Sequence, residues 1–179
     1  PLLASEDAKY AMNRSQAAEV QRERQQGLGK PIISAVASGR RFVVVKNRLL
    51  HSKGWLTFHD FLGDYIMMAM GIEWGRVERA KPLEQRHPIL VWHHHRAEQL
   101  HRGPRERGKV HSLPMTGAIA AYLRLAYDLY ALDHNAELQE KLLKRLRNND
   151  NFPGARYEVF VAATLIRAGF ELEFENEDD

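Results

Sequence analysis

Two groups of residues in this chain have the types and spacing that could do chemistry. The first is His93, His94 and His95 in a row, followed by Glu98 and His101. Imidazole is the commonest transition-metal ligand, yet the spacing works against a metal site. Consecutive helical residues lie ~100° apart, so three adjacent histidines cannot close on one ion, and only His94, Glu98 and His101 share a face. No His-Glu-x-x-His pattern occurs. The expectation is a polar, partly exposed helix face with no metal, whose protonation would favour anions in mild acid. The second is Glu158, set beside Val161, Ala162 and Leu165 in a segment, 157–166, that is apolar on nearly every side, as a helix buried against a sheet should be. An unpaired buried carboxylate is costly, so Glu158 should meet a base, a metal ion or water at the element's edge. The alternative is a helix-start acid, favoured by the dipole and turned outward.

Phosphate-binding patterns are thinner. Gly27-Leu28-Gly29-Lys30 suggests a phosphate loop, but the position five before Gly29 is Arg24, and Pro31 stands where Ser or Thr would hold magnesium. A glycine pair ending a helix is the better reading. Arg102, Arg105, Arg107 and Lys109 form a basic loop between Gly and Pro residues. Clustered bases release counterions from nucleic acid, so these four are the candidate nucleic-acid contacts. They lack interleaved aromatics for base stacking, and the alternative is a solvated linker.

The elements that must position these residues are those of an ordinary globular chain. It has 179 residues, 44% of them apolar and 27% charged. No apolar run approaches the ~20 residues of a membrane helix, and no membrane partner is expected. Cysteine is absent, which excludes disulfides, thiolate zinc sites and cysteine nucleophiles and points to a reducing, cytoplasmic setting. Charge is uneven: 26 Lys+Arg stand against 23 Asp+Glu, but six of those acids fall within 171–179, leaving residues 1–170 at +9. Such an excess can attract nucleic acid or an acidic protein partner, and it is also common on proteins that bind neither.

The fold class expected is α+β, mainly α-helical, with a small antiparallel β-meander near the N-terminus, a helical bundle-like body and a C-terminal helix-strand unit. A first helix runs from Ser5 to a Gly27 stop with a thin apolar face, so it lies on the body or projects from it. Three short strands follow, around 32–37, 41–45 and 48–51, joined by two-residue turns. Thr57 and Asp60 form a capping box for the best amphipathic helix of the chain, ending at Gly71. Helical stretches then cover 73–81, 89–100 and the apolar run after Thr116. The leucines from 138 to 146 pack against that run as an antiparallel pair or continue it as one bent helix. Pro153 opens a last helix, Gly169 ends it, and 170–174 alternates as a strand that needs a partner. The organisation expected is 1–30 as helix and linker, 31–150 as meander plus helical domain, and 151–179 as a closing unit.

Residues 152–174, from Phe152-Pro153-Gly154-Ala155-Arg156-Tyr157-Glu158 through Ala168-Gly169-Phe170 to Phe174, resemble the opening of the restriction-endonuclease-like PD-(D/E)XK nuclease fold. There a helix carrying a Glu leads through an Ala-Gly-Phe turn into the first core strand. The segments 39–45 and 57–66 are similar to the front of uncharacterised bacterial proteins. The nuclease resemblance implies that Glu158 matches the family's helix carboxylate, which helps bind or orient the metal. It also implies a further acid and an Asp/Glu-x-Lys pair on the next strands. Of the eight lysines only Lys9 has an acid two residues before it, Asp7, upstream of every core element. Magnesium-dependent hydrolysis is therefore not expected of these residues alone, and magnesium is implied only where a complete core follows. Pro1 in place of Met, and an end after one unpaired strand, read as a piece of a longer protein. The leading expectation is the N-terminal helical region of a nuclease-like bacterial protein, inactive alone and binding nucleic acid or a partner. The alternative is a self-contained, non-enzymatic helical interaction domain.

Overall fold

A computed structural model describes residues 6–103, 109–112 and 114–173. The described residues are mainly helical. In chain order they form α1 (Glu6–Gln26), β1 (Ser34–Ala37), β2 (Arg40–Val45), β3 (Arg48–Ser52), α2 (Phe58–Met70), α3 (Ile72–Arg79), α4 (Pro88–Arg102), α5 (Gly117–Asn135), α6 (Glu140–Arg147) and α7 (Phe152–Arg167). No helix among them is long and apolar enough to cross a membrane.

The strands form the expected meander, in the order β1-β2-β3, with Val36 opposite Arg41 and Val43 opposite Leu50. Ser38 and Gly39 turn the first hairpin with φ of 48° and 68°, the left-handed pair that matches strand twist in a two-residue loop. Val43 and Val45 are buried, and β2 lays this face on α5.

The central helix is α5, against which α2, α4 and α7 all pack. Phe61 of α2 anchors the core: its ring meets Trp55 edge-on at 5.2 Å and Tyr130 of α5 edge-on at 5.7 Å. The capping box holds α2 in place. Thr57 Oγ1 accepts from the Asp60 N–H at 3.2 Å, and Asp60 Oδ2 accepts from the Thr57 N–H at 2.8 Å. Replacing Thr57 by Ala should cost about 1 kcal/mol of unfolding free energy in a urea titration, while Thr57→Ser should stay near wild type.

The last turn of α5 ties the front of the chain to its middle. His134 Nδ1 accepts from the Lys46 N–H at 3.0 Å, which makes Nε2 the protonated nitrogen, and it lies 3.2 Å from the Pro31 carbonyl oxygen. Asn135 Oδ1 accepts from the Lys30 N–H at 2.6 Å. Asp133 accepts from the Tyr65 hydroxyl at 2.6 Å and also holds Arg48.

At the start of α4, His87 is buried. Its Nδ1 caps the helix by accepting from the Ile89 N–H at 3.3 Å, and its ring stands edge-on to Phe152 at 4.6 Å and Trp74 at 5.2 Å. Its backbone N–H donates to the Glu78 carboxylate, which pairs with Lys81.

Three expectations are corrected. The leucine-rich segment is neither a continuation of α5 nor chiefly its partner: the chain breaks at Ala136, and α6 turns Leu142, Leu143 and Leu146 inward while packing on α7 and α2. The last helix is not buried against a sheet. It buries Phe152, Ala155, Val159, Ala163 and Ile166 against α5 and α6 and leaves Tyr157, Phe160 and Leu165 exposed. Residues 170–173 form no strand. Gly169, at φ 89°, reverses the chain, and Leu172 packs on the core while Phe170 stays exposed. Phe174 lies outside the described residues.

The first helix projects. Residues 10–21 are exposed on every side, and the last turn is fastened: Arg22 donates to the carbonyls of Gly27 and Gly29, and Gln26 Oε1 accepts from the Ile32 N–H. Gly27 is required there, since a Cβ would stand 2.5 Å from the Arg167 carbonyl oxygen that receives the Leu28 N–H.

Candidate nucleic-acid interface

Glu158 lies on the outer side of α7, half-exposed, with Oε2 2.7 Å from Arg145 Nη1 of α6. It thus meets a base at the edge of its element. The three histidines diverge as helical spacing requires. His93 turns inward toward Tyr122, where burial and then the charges of Arg79 and Arg96 lower its pKa. His94 and His95 each lie 3.8 Å from Glu98, which also faces Arg102 at 3.6 Å. Among the described residues, no group of three His, Cys, Asp or Glu could hold a metal ion.

The basic loop is divided. Arg102 lines a shallow depression over α4 and α5 with His95, Gln99 and Ala118. Lys109 lines a different groove, beside Thr57 and Arg96. Arg105 and Arg107 lie outside the described residues. The aromatics that the loop lacks stand elsewhere, on the seam between α5 and α7.

That seam is organised by one buried acid. Asp128 of α5 has a side chain only 3% exposed, with Arg124 Nε at 3.1 Å and Arg167 Nη1 at 2.7 Å. Two cations on one carboxylate leave the seam positive. Each arginine lies over a ring: Arg124 over Phe160 at 5.3 Å and Arg167 over Tyr127 at 5.6 Å. Arg156 joins them from α7, over Trp92 of α4 at 4.9 Å. Such stacking holds a guanidinium flat while its edge still faces solvent. Between the arginines is a hollow of about 360 Å³, edged by Tyr157 and Phe160, which are 68% and 42% exposed.

The hollow and the depression lie along one side of α5. Ala118, Leu125 and Asp128 are spaced by seven and three residues, which keeps them on one stripe. On α4, Trp92, His95, Gln99 and Arg102 repeat at three and four. Arg102 and His95 edge the depression, Arg124 and Arg156 edge the hollow, and Arg167 stands at Asp128; these five bases on α4, α5 and α7 form the candidate track. Guanidinium groups at intervals can hold phosphates, and exposed rings between them can stack bases.

Sequence reasoning sought its bases in a loop and missed Arg124, Asp128, Arg156, Tyr157 and Phe160. A signal was present: Arg156, Tyr157 and Phe160 place one arginine and two aromatics within a turn of one helix, and Arg124 precedes Asp128 by four. Among family models, curated proteins and solved structures, no match to this chain is found.

Proposed function

We propose that this chain is a nucleic-acid-binding module that engages single strands along the α4-α5-α7 track and performs no hydrolysis by itself. The observation that carries the reading is the set of three arginines stacked on rings around the α5-α7 seam, with Tyr157 and Phe160 open beside them. The +9 charge of residues 1–170 supports it. The nuclease resemblance of 152–174 belongs to the same proposal as ancestry. Glu158 would match that family's helix carboxylate, and a downstream acid followed by Glu-x-Lys in the reading frame would support the kinship.

A fluorescence-anisotropy titration with a labelled single-stranded oligonucleotide, repeated across a salt series, tests the binding. Arg124→Ala combined with Arg156→Ala should weaken affinity about tenfold at low salt and reduce the salt slope by about 1.4, for two phosphate contacts. Glu158→Ala should change neither. No binding by the wild type at low ionic strength, or a double variant that binds equally well, would refute the proposal. A protein-docking role is the second reading, favoured by the apolar side chains of Leu165 on α7 and Phe170 just after it, exposed at 38% and 61%. It predicts oligonucleotide binding that is absent or indifferent to the two arginines.

A further inference from the structure

A second groove, of about 440 Å³, lies between the start of α2, the last turns of α4 and the start of α5. Its size suits a small ligand. Exposed apolar side chains gather at its walls: Leu56, Leu100, Val110 and Met115 all line it and are 40% to 67% exposed. Ile119 and Leu123 complete the apolar lining.

His59, Asp60, Lys109 and His111 also line it, and the cation for which the fold makes room is Arg96. Its side chain is only 15% exposed, and the nearest carboxylate oxygen, Asp60 Oδ1, is 3.9 Å from Nη2, beyond direct hydrogen-bond length. That carboxylate is engaged by Thr57, whose N–H and hydroxyl both donate to Oδ2. The fold makes room for the guanidinium at some expense. Gly63 sits in the interior of α2, where glycine is about 1 kcal/mol worse than alanine. A Cβ there would stand 2.5 to 2.7 Å from three guanidinium atoms. A mostly buried guanidinium whose neighbouring carboxylate lies too far to hydrogen-bond has donors left to satisfy, and a planar guanidinium fork matches a carboxylate with two parallel hydrogen bonds.

We propose that this groove binds a small amphipathic monocarboxylate, its acid group on Arg96 and its hydrocarbon against the apolar walls. The apolar walls, which a phosphate cannot fill, separate this ligand class from the phosphates expected at the α5-α7 track.

Octanoate, with octanol as its uncharged counterpart, is the probe, and backbone amide shifts of the 179-residue chain give both dissociation constants. The wild type should bind octanoate at least about tenfold more tightly than octanol, the worth of a charge-assisted hydrogen bond. Arg96→Gln should abolish that preference while leaving octanol binding unchanged. Gly63→Ala, which keeps every charge but displaces the guanidinium, should weaken octanoate binding in the same direction and carries the test if Arg96→Gln does not fold. Equal affinity of the wild type for the two probes, no binding of octanoate, or an unchanged preference in a folded variant would overturn the proposal.

Discussion

Lowering the pH from 6.5 to 4 should destabilise the folded chain by about 3 kcal/mol through His87 alone. Burial pushes this imidazole from 6.5 down to about 4; the Glu78 carboxylate and the Leu146 carbonyl oppose the shift without cancelling it, and Lys81 adds to it. Nδ1, the nitrogen that would take the second ring proton, accepts from the Ile89 N–H, so charging the ring in the folded state would break that helix cap. The unfolded chain takes up that proton below 6.5 and the folded chain does not. Stability is therefore full above 6.5 and lost as pH falls toward 4. His93 and His134 are shifted in the same direction, chiefly by burial, and steepen the loss. Chemical denaturation at a series of pH values measures the slope. His87→Asn keeps an acceptor for the Ile89 N–H and removes the titration. It should be less stable than wild type at pH 7.5, having lost its ring contacts, yet show a visibly shallower decline between 6.5 and 4. An identical slope in the variant would mean that other groups govern the acid response.

Asp128→Ala should lower the unfolding free energy by about 2–3 kcal/mol in urea, the cost of removing a charged hydrogen-bond acceptor from a buried site. The loss falls mainly on Arg167, whose side chain is 19% exposed; Arg124 is 52% exposed and can turn to solvent cheaply. The same substitution leaves two guanidinium groups without a neutralising acid on the proposed track. Oligonucleotide affinity at low salt should therefore rise while stability falls. Measuring both on one variant separates an electrostatic role for the seam from a merely structural one, because a seam that only held α5 to α7 would lose affinity along with stability.

The parts of the fold written in local chemistry were readable in the sequence. Thr57 and Asp60 announced a capping box, and that box is formed. The β-branched run at Val43 to Val45, set between turn residues, became the middle strand of the meander. Apolar periodicity after Thr116 gave the central helix. What the sequence could not supply were choices made between distant surfaces. Phe170 to Phe174 alternates as a strand does, but alternation creates no partner edge, and residues 170–173 stay outside the sheet. The leucines of α6 state that one face is buried without stating which helix buries it. The apolar girth of α7 suggested enclosure, whereas a single face is covered. The candidate interface shows the same limit. Arg124 and Phe160, or Arg156 and Trp92, lie far apart along the chain and meet only because α4 and α7 both flank α5.

The last turn of α5 also bears on how the molecule assembles. His134 and Asn135 grasp Pro31, Lys46 and Lys30 across separations of 103, 88 and 105 residues. Closing loops of that length is entropically expensive, and little is gained before the helix end exists to receive the ribbon. The meander turns can form locally and early, but their seating must wait for the centre of the chain. Mutations at His134 or Asn135 should then accelerate unfolding more than they retard folding, which marks this junction as a late clasp in the folding pathway.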